Sequence, residues 1–336
     1  MRTMKKISTK RSAFVGDMIG AIFAGASVLF SVALLFFLVT QPIQGQGARA
    51  DGSKVFASAQ AAAEALVAAT ETFDEAALKE ILGPNSHDLI YSDEIVRDRE
   101  TAMEFGKLGR AKITLTPAPR NKRLVLLAVG DDNWPCPIPI IRTTGGWRFD
   151  GDAGREELIY RRIGRDELEA IDISRGYVEA QNEYALQKHD GAPVNQYAQM
   201  IISSPGKQNG LAWRNADGSV GGPISENVTK AIERGYNDPA APYSGYYFKI
   251  LKGQGPAAPL GKLDYVVGGY MIGGFALVAF PSIYRVTGVK TFIVSQDGVV
   301  YEKDLGEDTG KIAPRTTAFN PDDTWKKVEV DMAEKK

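Results

Sequence analysis

The stretch TFIVSQDGVVYEK, Thr291 to Lys303, decides the fold class of this chain. Two apolar-rich runs, Thr291 to Ser295 and Val299 to Lys303, flank the turn Gln296 to Gly298. An Asp-Gly pair between such runs is typical of a tight β-hairpin, because both residues tolerate the positive φ angles that the turn requires. The stretch therefore predicts an antiparallel pair of strands.

Beyond this hairpin, the second half combines one long helix with further strands. Residues 166–188 have helical periodicity. We expect this helix to pack through the apolar residues Leu168, Ile171, Tyr177, Val178, Ala185 and Leu186. Residues 196–245 are rich in loop residues, with a short helix near 225–235. Strands are expected at 246–251 and 275–280.

The apolar run Tyr265 to Phe280 needs a separate decision, because apolar runs can also span membranes. It contains 16 residues, fewer than the roughly 20 that a bilayer-spanning helix needs. Gly268, Gly269, Gly273 and Gly274 interrupt it. The run therefore predicts a hairpin or a bulged pair of strands.

The first half predicts helices followed by an antiparallel meander. Residues 54–82 form two helices, ended by Gly83 and Pro84, and a third helix covers 93–108. Strands follow at 113–116, 123–129, 138–143 and 147–149. Helices on one face of a curved sheet resemble the cone-shaped fold of nuclear-transport-factor-like domains. The whole chain is expected to be α+β.

A chain of 336 residues is long enough for two domains. We expect an N-terminal α+β domain at 51–160 and a C-terminal α+β domain at 161–330. Residues 331–336 are charged, so a frayed tail is expected there.

Residues 1–50 have the order of an export signal. Basic residues within 1–12 precede the uncharged apolar segment Met18 to Val39, and Ala48-Arg49-Ala50 provides a small-x-small cleavage site. We expect cleavage after Ala50 and a periplasmic location. The alternative is an uncleaved inner-membrane anchor facing the periplasm, since 22 apolar residues can span a bilayer with the basic flank inside. Membrane contact would then come through this segment alone.

Charge and composition exclude several classes of function. The chain has 40 Lys and Arg against 41 Asp and Glu, and removal of residues 1–50 leaves 34 against 40. A mature net charge of −6 argues against nucleic acid as a partner. The single Cys136 excludes an intramolecular disulfide, and two histidines, His87 and His189, argue against a metal centre built from His or Cys. No cofactor or metal is expected.

The densest cluster of charge lies on both sides of residue 160 and contains Asp150, Asp152, Arg155, Glu156, Glu157, Arg161, Arg162 and Arg165. One interpretation is a site for an anionic ligand or a protein partner, because guanidinium groups bind carboxylate and phosphate in a fork. The other is an ion-pair network where the two domains join. The equal numbers of the two signs favour the ion-pair network.

A second candidate site consists of aromatic residues that could line a groove for a glycan or a peptide: Trp134, Trp147, Trp213, Tyr243, Tyr246 and Tyr247. Core packing is the usual role of such side chains.

Other motifs favour structural roles. Ser203 and Ser204 are outside any Gly-x-Ser-x-Gly nucleophile elbow. Oxygen-bearing residues match part of a calcium-loop spacing, but Val220 stands where that loop needs glycine, so a plain turn is expected: Asn215, Asp217, Ser219 and Glu226. His87 and His189 are expected in a loop and at a helix end.

Several blocks resemble one bacterial family, domain-of-unknown-function family 2950. They are ILGP at 81–84, WRFDGDAG at 147–154, RRIGR at 161–165, AQNEY at 180–184, GLAW at 210–213, GYYF at 245–248, GGFALVAFP at 273–281 and YEKDLG at 301–306. The resemblance implies an exported envelope protein, mostly from Gram-negative bacteria. It implies no established activity.

Residues 165–330 also resemble the head domain of type IV pilins and pseudopilins. The shared order is a helix with an Ala-Gln-x-x-Tyr motif, a Gly-Tyr-x-Phe strand, a strand ending in Ala-x-Pro and a Gly-Val-Val-Tyr strand. A pilin carries its assembly helix directly before the head. About 115 residues separate the two here, so filament assembly of the usual kind does not follow.

The leading hypothesis is a non-catalytic envelope protein, an interaction or assembly module that binds another envelope protein. Its basis is the export signal, the pilin-like order and the lack of a recognisable catalytic constellation, and no catalytic residue is assigned. The alternative is a periplasmic enzyme or binding protein for a cell-wall or small polar ligand. Its site would lie at the domain junction near Arg161 and Arg162.

Overall fold

A computed structural model describes residues 52–91, 95–119, 121–233 and 241–329. The expected export segment and the C-terminal tail lie outside these ranges. The chain is α+β and divides into two compact units, Met1–Asp150 and Gly151–Lys336.

The described residues of the first unit form four helices and five strands: α1 Ala59–Glu71, α2 Glu75–Leu82, α3 His87–Ile90, α4 Ile95–Ala111, β1 Ile113–Ala118, β2 Asn121–Val129, β3 Trp134–Pro135, β4 Ile140–Thr143 and β5 Gly146–Phe149. The helices expected within 54–82 and near 93–108 and the strands of the meander are confirmed. The short α3 and β3 were not expected.

Local chemistry explains the helix limits. The Ser58 side chain accepts a hydrogen bond from Ala61 N–H, and Asp74 does the same for Ala77 N–H, so both helices have an N-cap. Gly83 ends α2 with a φ angle of 96°. This conformation, which glycine adopts without the Cβ penalty, explains the helix stop predicted at Gly83-Pro84.

Helices α1 and α4 lie unusually close because α4 carries two glycines on the contact face. A β-carbon on Gly106 would lie 2.3 Å from the Glu71 backbone nitrogen, and one on Gly109 would lie 2.4 Å from Val67 Cγ2. The helices cover a sheet of order β1-β2-β4-β5, all antiparallel, with β3 beside β2. Cys136 is buried in this core and donates its N–H to Leu127 O over 2.8 Å.

The second unit is built on one long helix and a five-stranded sheet. Its elements are α5 Gly151–Tyr184, β6 Met200–Ile202, β7 Gly210–Arg214, β8 Val220–Gly221, α6 Ser225–Glu233, β9 Tyr246–Leu251, β10 Gly253–Gln254, β11 Leu263–Asp264, β12 Val266–Val267, β13 Tyr270–Met271, β14 Ala276–Pro281, β15 Lys290–Ser295, β16 Tyr301–Asp304, α7 Thr309–Ile312 and β17 Lys326–Lys327. The sheet order is β17-β16-β15-β14-β9, antiparallel throughout. α5 packs on β14 and β15, which are almost completely buried.

The hairpin expected around Asp297-Gly298 is confirmed. β15 pairs with β16 in the register Ile293 with Tyr301, and Gly298 has a φ angle of 74°. The apolar run from Tyr265 is also a strand pair, since β12 and β13 form a hairpin across Gly268 and Gly269. Within the described ranges, no helix is both long and apolar enough to cross a bilayer.

The long helix departs from its expected limits and face. It begins at Gly151, fifteen positions before Asp166, and ends at Tyr184 rather than Lys188. The sequence pattern did not predict this first part of the helix because glycine, at 151, 154 and 164, has a low helix propensity. Ion pairs between neighbouring turns support the helix there. The expected boundary near 160 therefore falls inside α5, and the two units divide between Asp150 and Gly151.

The buried face of α5 is more polar than its apolar pattern predicted. Leu168 and Leu186 are exposed by 66% and 78%, so assigning them to the packed face was wrong. Gln181 is completely buried instead. Its amide donates to Ala198 O over 2.9 Å and accepts from Ala198 N–H over 2.8 Å. It thereby completes the backbone hydrogen bonds of a loop, which explains the Ala-Gln-x-x-Tyr motif as a packing feature.

Candidate functional site

A row of solvent-exposed residues runs along four turns of α5. It contains Asp152, Glu156, Tyr160, Gly164 and Leu168, and we call these residues the α5 face. Each step of four residues turns about 40° around the helix axis, so the row is inclined to that axis. Tyr160, Gly164 and Leu168 lie within about 80° of one another, whereas Asp152 and Leu168 lie about 160° apart. The N-terminal end of the row is acidic and its C-terminal end is apolar.

The apolar end of the α5 face is strongly exposed. Tyr160 is 67% exposed and Leu168 is 66% exposed, and Gly164 lies between them. A β-carbon on Gly164 would have nothing within 4 Å. Glycine in a helix costs about 1 kcal/mol relative to alanine, and no neighbour in the described structure requires it here. The result is a shallow notch between two exposed apolar side chains.

The arginines expected to bind an anion are paired with carboxylates of their own helix. Arg155 lies 3.0 Å from Asp152, Arg161 lies 2.8 Å from Glu157, and Arg165 lies 3.0 Å from Asp166. Each carboxylate neutralises the guanidinium that an incoming anion would need. The geometry thus favours the ion-pair interpretation of the charge cluster over an anion site. Arg162 is half-buried and adds its charge to the field around Asp166.

Two acidic residues that sequence reasoning missed lie where α5 meets the sheet. Asp166 is only 3% exposed, and burial raises the pKa of its carboxyl group, while the charge of Arg165 opposes that rise. The Glu167 carboxylate accepts the backbone N–H groups of Val289 and Lys290 over 2.8 and 2.9 Å. The only signal for them was their position directly after the RRIGR block.

The hydroxyl of Tyr246 completes this junction. It donates to Lys290 O over 2.9 Å, and the tyrosine is fully buried. Burial and the neighbouring carboxylates of Glu167 and Asp166 raise the pKa of Tyr246. The junction therefore fastens β9, α5 and the start of β15 to one another, and Tyr246 is a core residue rather than part of a ligand groove.

The remaining candidates belong to separate parts of the molecule. Trp147 lies in β5 of the first unit, where Phe56 pairs with its backbone and Arg142 lies 5.9 Å from its ring. Asp150 donates its N–H to Pro139 O in the same unit. Trp213 lies in β7 of the second unit and donates its indole N–H to Asn215 Oδ1. Trp147 and Trp213 thus each have a packing role in their own unit.

His189 has a structural environment. Its ring is 5% exposed and stacks on Tyr184 with the centroids 3.9 Å apart. Nε2 lies 3.0 Å from Tyr184 O, the last carbonyl of α5, as expected for a histidine at a helix end. His87 was expected in a loop, but it is the first residue of the short α3, and it is exposed. Ser203 accepts the Gly210 N–H through its hydroxyl, so it also has a local structural role.

The segment with partial calcium-loop spacing is a closed turn. Asp217 accepts from both the backbone N–H and the hydroxyl of Ser219, which lowers the pKa of its carboxyl group. Asn215 also bonds Ser219, and Glu226 pairs with Lys230 at 2.9 Å. Across the described ranges there is no group of three or more His, Cys, Asp or Glu residues placed to hold a metal ion.

Comparison with known proteins identifies the family. Residues 53–328 match the model described as protein of unknown function (DUF2950), so the chain belongs to this family. No curated protein matches the chain. No solved structure matches it either, so the similarity to pilin heads and to the cone-shaped fold stays a prediction.

Proposed function

We propose that this member of the DUF2950 family is an exported, non-catalytic envelope protein whose second unit binds a protein partner through the α5 face. The observation that carries the proposal is the exposed pair Tyr160 and Leu168 on either side of the open Gly164. An exposed apolar stripe with a polar rim is typical of a protein interaction site.

The chemistry of the stripe fits a protein better than a small ligand. A small-molecule site needs a concave pocket with converging polar groups, whereas Tyr160 and Leu168 project from a convex helix. A partner side chain can enter the notch at Gly164, as in helix packing. Tyrosine and arginine are enriched at such interfaces, and Arg161 and Arg165 flank the stripe.

Export is supported by the order of residues 1–50, with basic residues, an apolar segment and a small-x-small site. The proposed place of action is the periplasm. Mass spectrometry of the protein recovered from cells tests this, and we expect a mature chain beginning at Asp51. An intact Met18 to Val39 segment in envelope membranes would support the anchored form, and a full-length cytosolic chain would refute export.

Site-specific photocrosslinking tests the interaction. A photoreactive amino acid is placed at Tyr160 or Leu168 of the full chain and activated in living cells. We expect an adduct larger than the chain from both positions. Leu186 is the matched control, because it is 78% exposed and follows the end of α5 outside the face. Equal adducts from position 186, or none from 160 and 168, would contradict the proposal.

The ligand-binding alternative has its own test. Purified chain is heated with a set of cell-wall fragments, and its thermal midpoint is compared with that of Arg162→Ala. We expect no shift in either protein. A midpoint raised by one fragment and not raised in Arg162→Ala, together with no photoadduct at Tyr160, would favour the binding protein instead.

A further inference from the structure

Strand β1 forms one edge of the sheet in the first unit. β1 pairs with β2 along its inner side, from Ile113 with Val129 to Pro117 with Val125. No strand within the described ranges pairs with its other side. The backbone groups on that outer side are therefore the subject of the inference.

The ladder shows which groups point outward. Gly130 N–H donates to Lys112 O, which lies directly opposite, so Lys112 directs its carbonyl toward β2. Because successive residues of a strand point their amide groups to opposite sides, Thr114 and Thr116 also bond β2. Ile113 and Leu115 consequently present their N–H and C=O groups on the free edge.

The free edge has a defined length. Helix α4 ends at Ala111, directly before the strand, and Pro117 has no N–H with which to extend a ladder. The open window is thus Lys112 to Thr116, and its midpoint is Thr114. Thr116 and Pro117 are exposed, and Ile113 to Leu115 are half-buried.

We propose that this edge pairs with the same edge of a second copy of the chain. An antiparallel pairing with its two-fold axis at Thr114 places Ile113 opposite Leu115 of the other copy. The N–H groups of Ile113 and Leu115 in each copy then donate to the C=O groups of Leu115 and Ile113 in the other copy. All the outward backbone groups of the two residues are therefore hydrogen-bonded. If the two-fold axis lay one residue later, at Leu115, Ile113 would lie opposite Pro117 of the other copy. The Ile113 carbonyl would then have no donor, because proline lacks an N–H.

The side chains of this register are compatible with one another. Thr114 meets Thr114 of the other copy, and Lys112 meets Thr116, so no like charges lie opposite each other. Threonine pairs and pairs of aliphatic residues are favourable neighbours across strands. Folded proteins either cover an unpaired edge or blunt it with short strands, lysine or proline. Lys112 and Pro117 limit this edge to a short window, and the outward backbone groups of Ile113 and Leu115 within it match those of a second copy.

Cysteine crosslinking tests the register. In the proposed pair the two Thr114 Cα atoms are about 4.5 Å apart, within the range of a disulfide. The two Thr116 Cα atoms are about 14 Å apart. We expect Thr114→Cys in the full chain to form a covalent dimer under mild oxidation of cells, and Thr116→Cys not to form one. Cys136 is buried and common to both variants.

A charge pair gives a second readout. Thr114→Asp would place two carboxylates together at the axis, and we expect it to be monomeric in sedimentation at concentrations where the unaltered chain is dimeric. Thr116→Asp would face Lys112 of the other copy, and we expect it to stay dimeric. A monomeric unaltered chain, equal crosslinking at 114 and 116, or a Thr114→Cys adduct with a different protein would overturn the proposal. These outcomes are independent of the α5 face.

Discussion

The carboxylate of Asp166 occupies the space where a side chain of Gly245 would begin. A β-carbon on Gly245 would lie 2.6 Å from Asp166 Oδ2 and 2.8 Å from Thr287 Cβ. Gly245 has a φ angle of 74°, and with Ser244 at 47° it makes the tight turn between Tyr243 and Tyr246. The close approach of α5 to β9 therefore depends on the absence of a side chain at 245.

Gly245→Ala should destabilise the second unit more than a positive φ angle alone explains. The left-handed conformation costs a non-glycine residue about 1–2 kcal/mol, and the contact with Asp166 adds to it. Gly261→Ala is the matched control, because Gly261 has the same φ angle of 74° but nothing within 4 Å of its β-carbon. Urea unfolding measures both. Equal losses in the two variants would contradict the contact argument.

Asp166→Asn should change how stability depends on pH. Burial raises the pKa of Asp166 in the folded protein, so the folded state holds this proton more tightly than the unfolded state. Its contribution to stability is complete below the unfolded pKa and decreases as the pH rises through the folded pKa. Asparagine cannot titrate, so the variant should lack this decrease.

The free energy of unfolding, measured from acidic to neutral pH, gives the difference between Asp166→Asn and the unaltered chain. We expect the variant to gain relative stability as the pH rises. The charges facing Asp166 shift the pH at which this change occurs, since Arg165 and Arg162 lower the pKa of Asp166 and Glu169 raises it. Parallel pH profiles would show that Asp166 has the same proton affinity in both states.

Gln181→Leu should be strongly destabilising although it places a larger apolar surface in a core. It would leave the buried N–H and C=O of Ala198 without partners, at roughly 1–3 kcal/mol for each group. Asn182→Leu, one position along on the exposed side of α5, should change stability little. Denaturant unfolding compares them, and similar losses would contradict the role of the Gln181 amide.

Replacing each of two helical glycines with alanine should have opposite effects on stability. Gly106→Ala would push a β-carbon to within 2.3 Å of the α1 backbone, so α1 and α4 must separate and the thermal midpoint should fall. Gly164→Ala meets open space and should stabilise α5 by about 0.5–1 kcal/mol. A thermal midpoint that moves in the same direction for both variants would contradict the packing at Gly106.

Much of the architecture could be predicted because it depends on neighbours in the chain. The hairpin at Asp297-Gly298, the stop of α2 at Gly83 and the strand pair across Gly268-Gly269 follow from local backbone preferences. The candidate site was less predictable. The charge cluster that includes Arg161 and Arg165 lies on α5, the helix that carries the candidate site. The apolar pattern, however, predicted Leu168 on the buried face of that helix, and it is exposed.

The sequence by itself determined the α+β class, the order of the main elements and the family, because these depend on local pattern and composition. The tertiary structure alone decided which residues touch. It distinguished Gly106, where an added β-carbon would clash with another helix, from Gly164, where an added β-carbon would meet nothing within 4 Å in the described part of the chain, although both are glycines within a helix. It also brought Asp166 against Gly245 across 79 positions. Such contacts depend on long-range packing, and no short window of sequence contains both partners.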